Sequence, residues 1–212
     1  VAETREQAFD SAEAVIVDYE PLAPLMDVRE AVQPDAHQLW TQSPGNCCFE
    51  FQVGNAAATE AAISAAPTVV RLSSDNGRLV QNPLETRGYV GLWDAIEELY
   101  TLHAAAGKPQ TVGRDLAHFI FGLPGDRVRA VVKDVGGGFG AKNPLYPEQA
   151  LVLWTAKKLG RPVRWQASRS ETFLADYQGR GQAADAEMAF DADGKVLAFR
   201  VRVLADLGAF LG

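Results

Sequence analysis

Three consecutive glycines, an aromatic residue and a fourth glycine (Gly136-Gly137-Gly138-Phe139-Gly140) follow Arg127-Val128-Arg129-Ala130-Val131-Val132 after Lys133-Asp134-Val135. The β-branched content of the preceding segment predicts a strand. Glycine tolerates positive φ and lets another group approach the peptide plane, so the chain is expected to leave the sheet through a sharp bend. Successive N–H groups in such a bend converge on a concavity that binds oxyanions, and Phe139 can cover one side of it. A tight turn that binds nothing is the plain alternative. Downstream, residues 147–159 read as a helix. Pro147 suits its first turn, Glu148 its positive end, and Lys157 and Lys158 its negative end. Gly160 stops it and Pro162 follows. Strand, glycine bend and helix in this order predict a mixed α/β fold.

Two phosphate-binding loops fit poorly. In the Walker pattern, Ala141 stands where the last glycine belongs, and Asn143 replaces Ser or Thr after Lys142. The dinucleotide pattern is met loosely by Gly136, Gly138 and Ala141. No acidic residue ends the next strand, where Trp165-Gln166 sits, and Pro144 and Pro147 separate the bend from the helix. Dinucleotide binding stays as a minor alternative.

Elsewhere, Thr4 and Gln7 form a capping-box signature before a helix carrying Ala8, Phe9, Ala12 and Val15. Val15-Ile16-Val17-Asp18-Tyr19 reads as a strand, and residues 28–31 as one helical turn. Residues 33–46 read as a loop, and alanine-rich residues 56–66 as a helix closed by Pro67. Short strands are predicted at 69–72, 89–92 and 99–102, with a tight turn at Asn76-Gly77 and a short helix over 93–99 as an alternative. Val112, Leu116, Phe119 and Ile120 mark one helix face. Residues 184–190 and 196–204 alternate in polarity across Asp191-Ala192-Asp193-Gly194, a hairpin signal. Trp154 and Trp165 are expected in the core.

A chain of 212 residues with 47% hydrophobic content can bury a core. Its formal charge of -7 disfavours a nucleic-acid partner. The only cysteines, Cys47 and Cys48, are adjacent and match neither a disulfide framework nor a zinc or iron–sulfur pattern. A reducing compartment, the cytoplasm, is therefore expected. No apolar stretch approaches membrane-spanning length. Both ends are expected to be cut from a longer chain. His37, His103 and His118 are far apart, without metal-ligand spacing. Glu85 and Arg87 read as an exposed ion pair or cap, and Asp134 and Lys142 as residues fixing the ends of the glycine bend.

Taken with its surroundings, the bend is more specific. Residues 131–142, then Tyr146-Pro147-Glu148-Gln149-Ala150 and Arg161-Pro162-Val163-Arg164-Trp165, resemble the signature of molybdenum hydroxylase large subunits. Arg169-Ser170-Glu171 and Leu204-Ala205-Asp206-Leu207-Gly208-Ala209-Phe210 resemble further landmarks of that family. Asn82-Pro83-Leu84-Glu85-Thr86-Arg87 is similar to its Asn-Pro-Met-Glu-Pro-Arg. The resemblance covers essentially the whole chain and is nearest the branch named after aerobic carbon monoxide dehydrogenase, beside the xanthine dehydrogenases and aldehyde oxidases.

The resemblance implies that residues 68–212 are the N-terminal part of a molybdopterin-binding domain. Residues 1–32 would be the end of a preceding α/β domain, and residues 33–67 a linker and helix. Gly137, Gly138, Phe139 and Gly140 would contact a molybdenum–pterin cofactor. It implies an oxidoreductase that hydroxylates or oxidises a small aldehyde, a heterocycle or a CO-like substrate using water. FAD and iron–sulfur clusters would sit on partner subunits or other segments of an oligomeric enzyme. The family's catalytic glutamate lies outside this chain, so no catalytic residue is assigned here and the isolated fragment is expected to be inactive. Gly107-Lys108-Pro109 stands where the family often carries a glutamine, and Asn143 where xanthine-type members carry a glutamate. The first departure implies that a side-chain contact to the molybdenum oxygen is missing or altered, and the second argues against purine recognition of that kind. A non-catalytic remnant or scaffold that keeps only the fold is the second reading.

Overall fold

A computed structural model of the chain describes residues 1–210. Leu211 and Gly212, the end of the predicted domain, lie outside the described residues. The chain divides into two compact units, Val1–Gln52 and Val53–Gly212, and the break falls inside the expected linker.

The first unit carries two short α-helices and a 3-10 turn at Pro44–Asn46. Helix α1 (Arg5–Glu13) starts at the predicted capping box, in which Thr4 Oγ1 accepts from the Gln7 N–H and Gln7 reaches back to the Thr4 N–H. Helix α2 (Val28–Ala31) is capped by Asp27. The predicted strand at residues 15–19 does not form, and Ile16 is 95% exposed. A strand is stabilised by pairing, and this unit contains no other strand to complete a ladder.

In the second unit the predicted α/β mixture is arranged as two sheets. Helix α3 (Ala56–Ala65), capped by Asn55, leads into β1 (Thr68–Leu79). Strand β1 pairs antiparallel with β6 (Gly179–Phe190), which pairs antiparallel with β7 (Val196–Ala205). The turn expected at Asn76-Gly77 is absent. Strand β1 runs straight through it, with Asn76 opposite Gln182, because the long partner strand outweighs the local turn preference. The predicted hairpin at Asp191 to Gly194 is present, and Asp191 Oδ1 accepts the N–H groups of Asp193 and Lys195.

The second sheet has the order β4-β3-β2-β5, from β2 (Gly88–Asp94), β3 (Leu99–Ala104), β4 (Val128–Val131) and β5 (Val163–Gln166). Strands β2 and β3 form a hairpin rather than the alternative helix, and Asp94 Oδ1 gathers the Ile96 and Glu97 N–H groups in its turn. Strand β4 lies parallel to β3, reached through α4 (Pro109–Asp115) and a wide π turn over Leu116–Phe121. That turn changes the phase of the helix face. Val112, Leu116 and Ala117 are buried, whereas Phe119 and Ile120 face outward, contrary to the regular spacing.

Helix α5 (Pro147–Leu159) packs on β2, burying Gln149, Val152, Leu153 and Ala156. At Gly91 a Cβ would lie 2.5 Å from the Val152 carbonyl oxygen, so only glycine lets the helix backbone come this near the strand. Tyr89, Tyr100, Leu102, Val128 and Leu153 form the centre of the core. Trp165 packs at its margin, stacked on Tyr89 at 5.5 Å. Trp154, expected in the core, is instead half exposed one position off the buried stripe, with the Lys158 ammonium 4.5 Å from its ring. Among the described residues no helix is long and apolar enough to cross a membrane.

Candidate functional site

The bend after β4 takes left-handed backbone at Gly137 (φ 94°), Phe139 (φ 48°) and Gly140 (φ 93°). For Phe139 this costs on the order of 1–2 kcal/mol, which the surroundings must offset. Two short turns close the bend: the Ala141 N–H donates to the Gly138 carbonyl at 2.9 Å, and the Asn143 N–H to the Gly140 carbonyl at 3.2 Å. The N–H groups of Gly137, Gly138, Phe139 and Gly140 find no acceptor among the described residues. Consecutive open N–H groups on a bend of this kind suit an anionic or oxygen-rich ligand. Phe139 is 73% exposed, and its ring folds back so that a Cβ on Gly137 would sit 3.1 Å from it.

Glu85 anchors the start of the bend. Its N–H donates to the Gly136 carbonyl at 3.1 Å, and its Oε2 accepts both the Gly136 N–H and the Lys142 ammonium at 2.8 Å. A Cβ on Gly136 would fall 2.6 Å from Glu85 Cβ, so this contact requires glycine. Burial works against the Glu85 charge, but Lys142 and the Gly136 N–H outweigh it and hold the carboxyl below the usual glutamate range. Helix α6 (Arg169–Ala175) supports Glu85 from behind. The Arg169 guanidinium donates to Asn82 Oδ1, to the Pro83 carbonyl at 2.9 Å and to the Leu84 carbonyl at 2.7 Å.

Arg87, two residues on, faces the other way. It is fully buried, with Nε 2.6 Å from Asp176 Oδ1 and Nη1 2.9 Å from Glu148 Oε2. Burial alone would lower the guanidinium's pKa, and the two carboxylates raise it instead. The guanidinium lies 3.7 Å from the Tyr146 ring centroid and 5.1 Å from that of Trp165. Tyr146, also buried, donates its hydroxyl to the Ala141 carbonyl at 2.5 Å. Burial pushes the Tyr89 and Tyr146 phenols up to about 12, so both stay neutral near pH 7.

The predicted contact residues Gly137, Gly138, Phe139 and Gly140 all lie on the bend and are half-buried or exposed, and Lys142 is tied through Glu85 to the Gly136 N–H. Asp134 is exposed just before the bend. Glu85 is a partly exposed member of an ion pair, as expected, whereas Arg87 corrects the expectation of exposure, being fully buried against Asp176 and Glu148. With one residue between them their side chains diverge, each to its own buried partner, Lys142 or Asp176. The six-residue run around them was legible as a motif, whereas Asp176 carried no signal of its own. Gly107 and Asn143, the two departures noted above, lie side by side: a Cβ on Gly107 would meet Asn143 Oδ1 at 2.2 Å. Helix α5 begins at Pro147, six residues separating it from Gly140. Among the described residues no group of three or more His, Cys, Asp or Glu side chains could hold a metal ion.

The molybdopterin cofactor-binding domain family matches residues 39–212. The chain is 35% identical to the carbon monoxide dehydrogenase large chain of Hydrogenophaga pseudoflava, over 99% of this chain and 28% of that protein. It is 31% identical to the nicotine 6-hydroxylase large subunit of Paenarthrobacter nicotinovorans, over 99% of this chain and 25% of that one. Its fold superposes on reconstituted CO dehydrogenase from Oligotropha carboxidovorans with a TM-score of 0.84 at 31% identity, covering 95% of this chain and 26% of that structure. The chain therefore spans about a quarter of the length of the relatives it matches.

Proposed function

Because the chain belongs to the molybdopterin cofactor-binding domain family, we propose that its glycine bend is one wall of a molybdenum–pterin site in a longer oxidoreductase subunit. The observation that carries this reading is the set of four consecutive open N–H groups from Gly137 to Gly140, on a bend clamped at its start by Glu85. Open N–H groups on a glycine bend suit the oxygens of such a cofactor. When bound, the cofactor supplies oxidative hydroxylation of an electron-poor carbon with water as the oxygen source.

The residues of this chain bind and orient. The N–H groups of Gly137, Gly138, Phe139 and Gly140 donate to cofactor oxygens. The Phe139 ring keeps water from one side of them. Glu85 and Lys142 hold the bend, and Glu85 stays ionised because its carboxyl is held below the usual range. Proton transfer to or from substrate belongs to groups outside these 212 residues, and the chain alone is inactive.

In the same proposal residues 68–212 are the N-terminal part of the cofactor domain, residues 1–32 the end of a preceding domain, and residues 33–67 the linker and helix between them. The substrate is a small aldehyde, a heterocycle or a CO-like molecule, in keeping with relatives named for carbon monoxide and nicotine. FAD and iron–sulfur clusters reside on partner subunits or other segments of an oligomeric, cytoplasmic enzyme. The deciding experiment is metal and pterin analysis of the full-length parent purified from a molybdenum-replete host. Near-equimolar molybdenum and pterin are expected; a folded parent carrying neither would end the proposal.

A further inference from the structure

Glu85 explains how the glycine bend begins, but a bend with this many glycines needs a second fixed point. Glycine loses more backbone freedom on ordering than any other residue, and Glu85 reaches the far end through the long Lys142 side chain, which leaves the backbone there to be fixed by another contact. The far end is Ala141, whose two peptide groups are both engaged. Its N–H donates to the Gly138 carbonyl at 2.9 Å, and its carbonyl accepts the Tyr146 hydroxyl at 2.5 Å. That hydroxyl also accepts the Tyr177 N–H at 3.0 Å, so it is satisfied as donor and acceptor.

The Tyr146 ring is itself immobilised. Its backbone N–H is taken by Gln149 Oε1 in the first turn of α5, the Tyr177 ring meets it edge-on at 5.4 Å, and Arg87 lies over its face. Arg87 in turn is held by Asp176 and Glu148. The position of the Ala141 carbonyl is therefore referred to a helix packed on the core sheet. With its phenol pushed up to about 12, Tyr146 remains a donor at every pH at which the chain is ordinarily handled.

We propose that Tyr146 is a positioning residue for the glycine bend, acting through the Ala141 carbonyl to hold the four open N–H groups in place. The role in ligand binding rests on the cofactor reading above; the role as an anchor does not. Tyr146 touches no part of the concavity itself.

The test is Tyr146→Phe, which deletes the hydroxyl and leaves the ring under Arg87. In the 212-residue chain, amide hydrogen exchange at Ala141 and Tyr177 is expected to rise roughly fivefold to tenfold, as for loss of one neutral hydrogen bond, and the backbone order parameters of residues 137–140 to fall with it. Exchange in β2, β3 and the middle of α5 should stay unchanged, which separates positioning from general destabilisation. Tyr177→Phe keeps the donating N–H and should leave the bend unchanged. Unaltered exchange at Ala141 in a folded Tyr146→Phe chain would overturn the proposal. Should that variant fail to fold, the carbonyl carbon shift of Ala141 in the unsubstituted chain decides. A downfield position marks an accepted phenol hydrogen bond, and a free-carbonyl value overturns it. In the full-length parent the same variant is expected to retain several-fold less pterin than the unsubstituted protein. Full retention alongside a loosened bend would overturn the binding role. A parent devoid of cofactor in both forms would sink the cofactor reading, while the exchange data still decide the anchor.

Discussion

At Glu85 a single carboxylate oxygen takes two donors, the Gly136 N–H and the Lys142 ammonium, both at 2.8 Å. The arrangement joins residues far apart in sequence, and its strength depends on charge. The carboxyl is held below the usual glutamate range, so the unfolded chain takes up the proton at a higher pH than the folded one. Stability from this contact is therefore fully present above the ordinary glutamate pKa and is lost as pH falls through the lower folded value. Because the Glu85 side chain is 39% exposed, solvent screens much of the effect. Glu85→Gln is expected to lower stability near pH 7 by about 1 kcal/mol or less, and this gap should close as the pH falls below the glutamate range. Urea unfolding of both chains at a series of pH values checks this. A gap that widened in acid would show that the sign had been misassigned.

The helix-on-strand contact between α5 and β2 sets where Tyr146 and Glu148 stand relative to Arg87, and it rests on Gly91. Gly91→Ala puts a methyl 2.5 Å from the Val152 carbonyl oxygen, and backbone cannot give way as a flexible side chain would. The expected cost is about 1–3 kcal/mol, read from thermal or urea unfolding. A matched Gly77→Ala change, at a position with open space around it, should cost less. Much of this element was legible in advance. Pro147, Glu148, Lys157, Lys158 and Gly160 gave the ends of α5 by local chemistry alone, and the 184–204 hairpin followed from alternation and a turn. What local pattern could not supply was tertiary. The Asn76-Gly77 turn signal lost to pairing with β6, the π turn moved Phe119 and Ile120 out of the helix face, and residues 15–19 lacked a partner strand. At the site, the glycines announced the bend, but its anchors lie where no short-range rule looks. Asp176 reaches Arg87 across most of the second unit's sequence, and Tyr146 earns its position through a hydroxyl that a pattern of apolar residues ignores.

For the second unit as a whole, the β1-β6-β7 sheet has two unlike faces. On one, Arg71, Glu187 and Arg200 form a cross-strand ion chain that Glu60 of α3 extends. On the other, the register brings Val70 and Leu72, Met188 and Ala186, and Phe199 and Val201 into adjoining rows with no charged side chain among them. The helix lies on the charged face, while Leu72, Phe199 and Val201 stand about half or more exposed. A contiguous apolar surface of this kind binds hydrophobic dyes and drives self-association, and β1 and β7 are both open edges that offer unpaired backbone. The 212-residue chain is therefore expected to enhance the fluorescence of an anilinonaphthalene dye and to associate as its concentration rises. Leu72→Lys combined with Val201→Lys places two ammonium groups on that face without altering the ion chain behind it. The pair should abolish most of the dye signal and leave the circular dichroism spectrum unchanged, since both positions sit on an already exposed surface. Strong dye binding that survives both substitutions would mean that the signal arises elsewhere, and sedimentation of the two chains at matched concentrations then shows whether this face drives association at all.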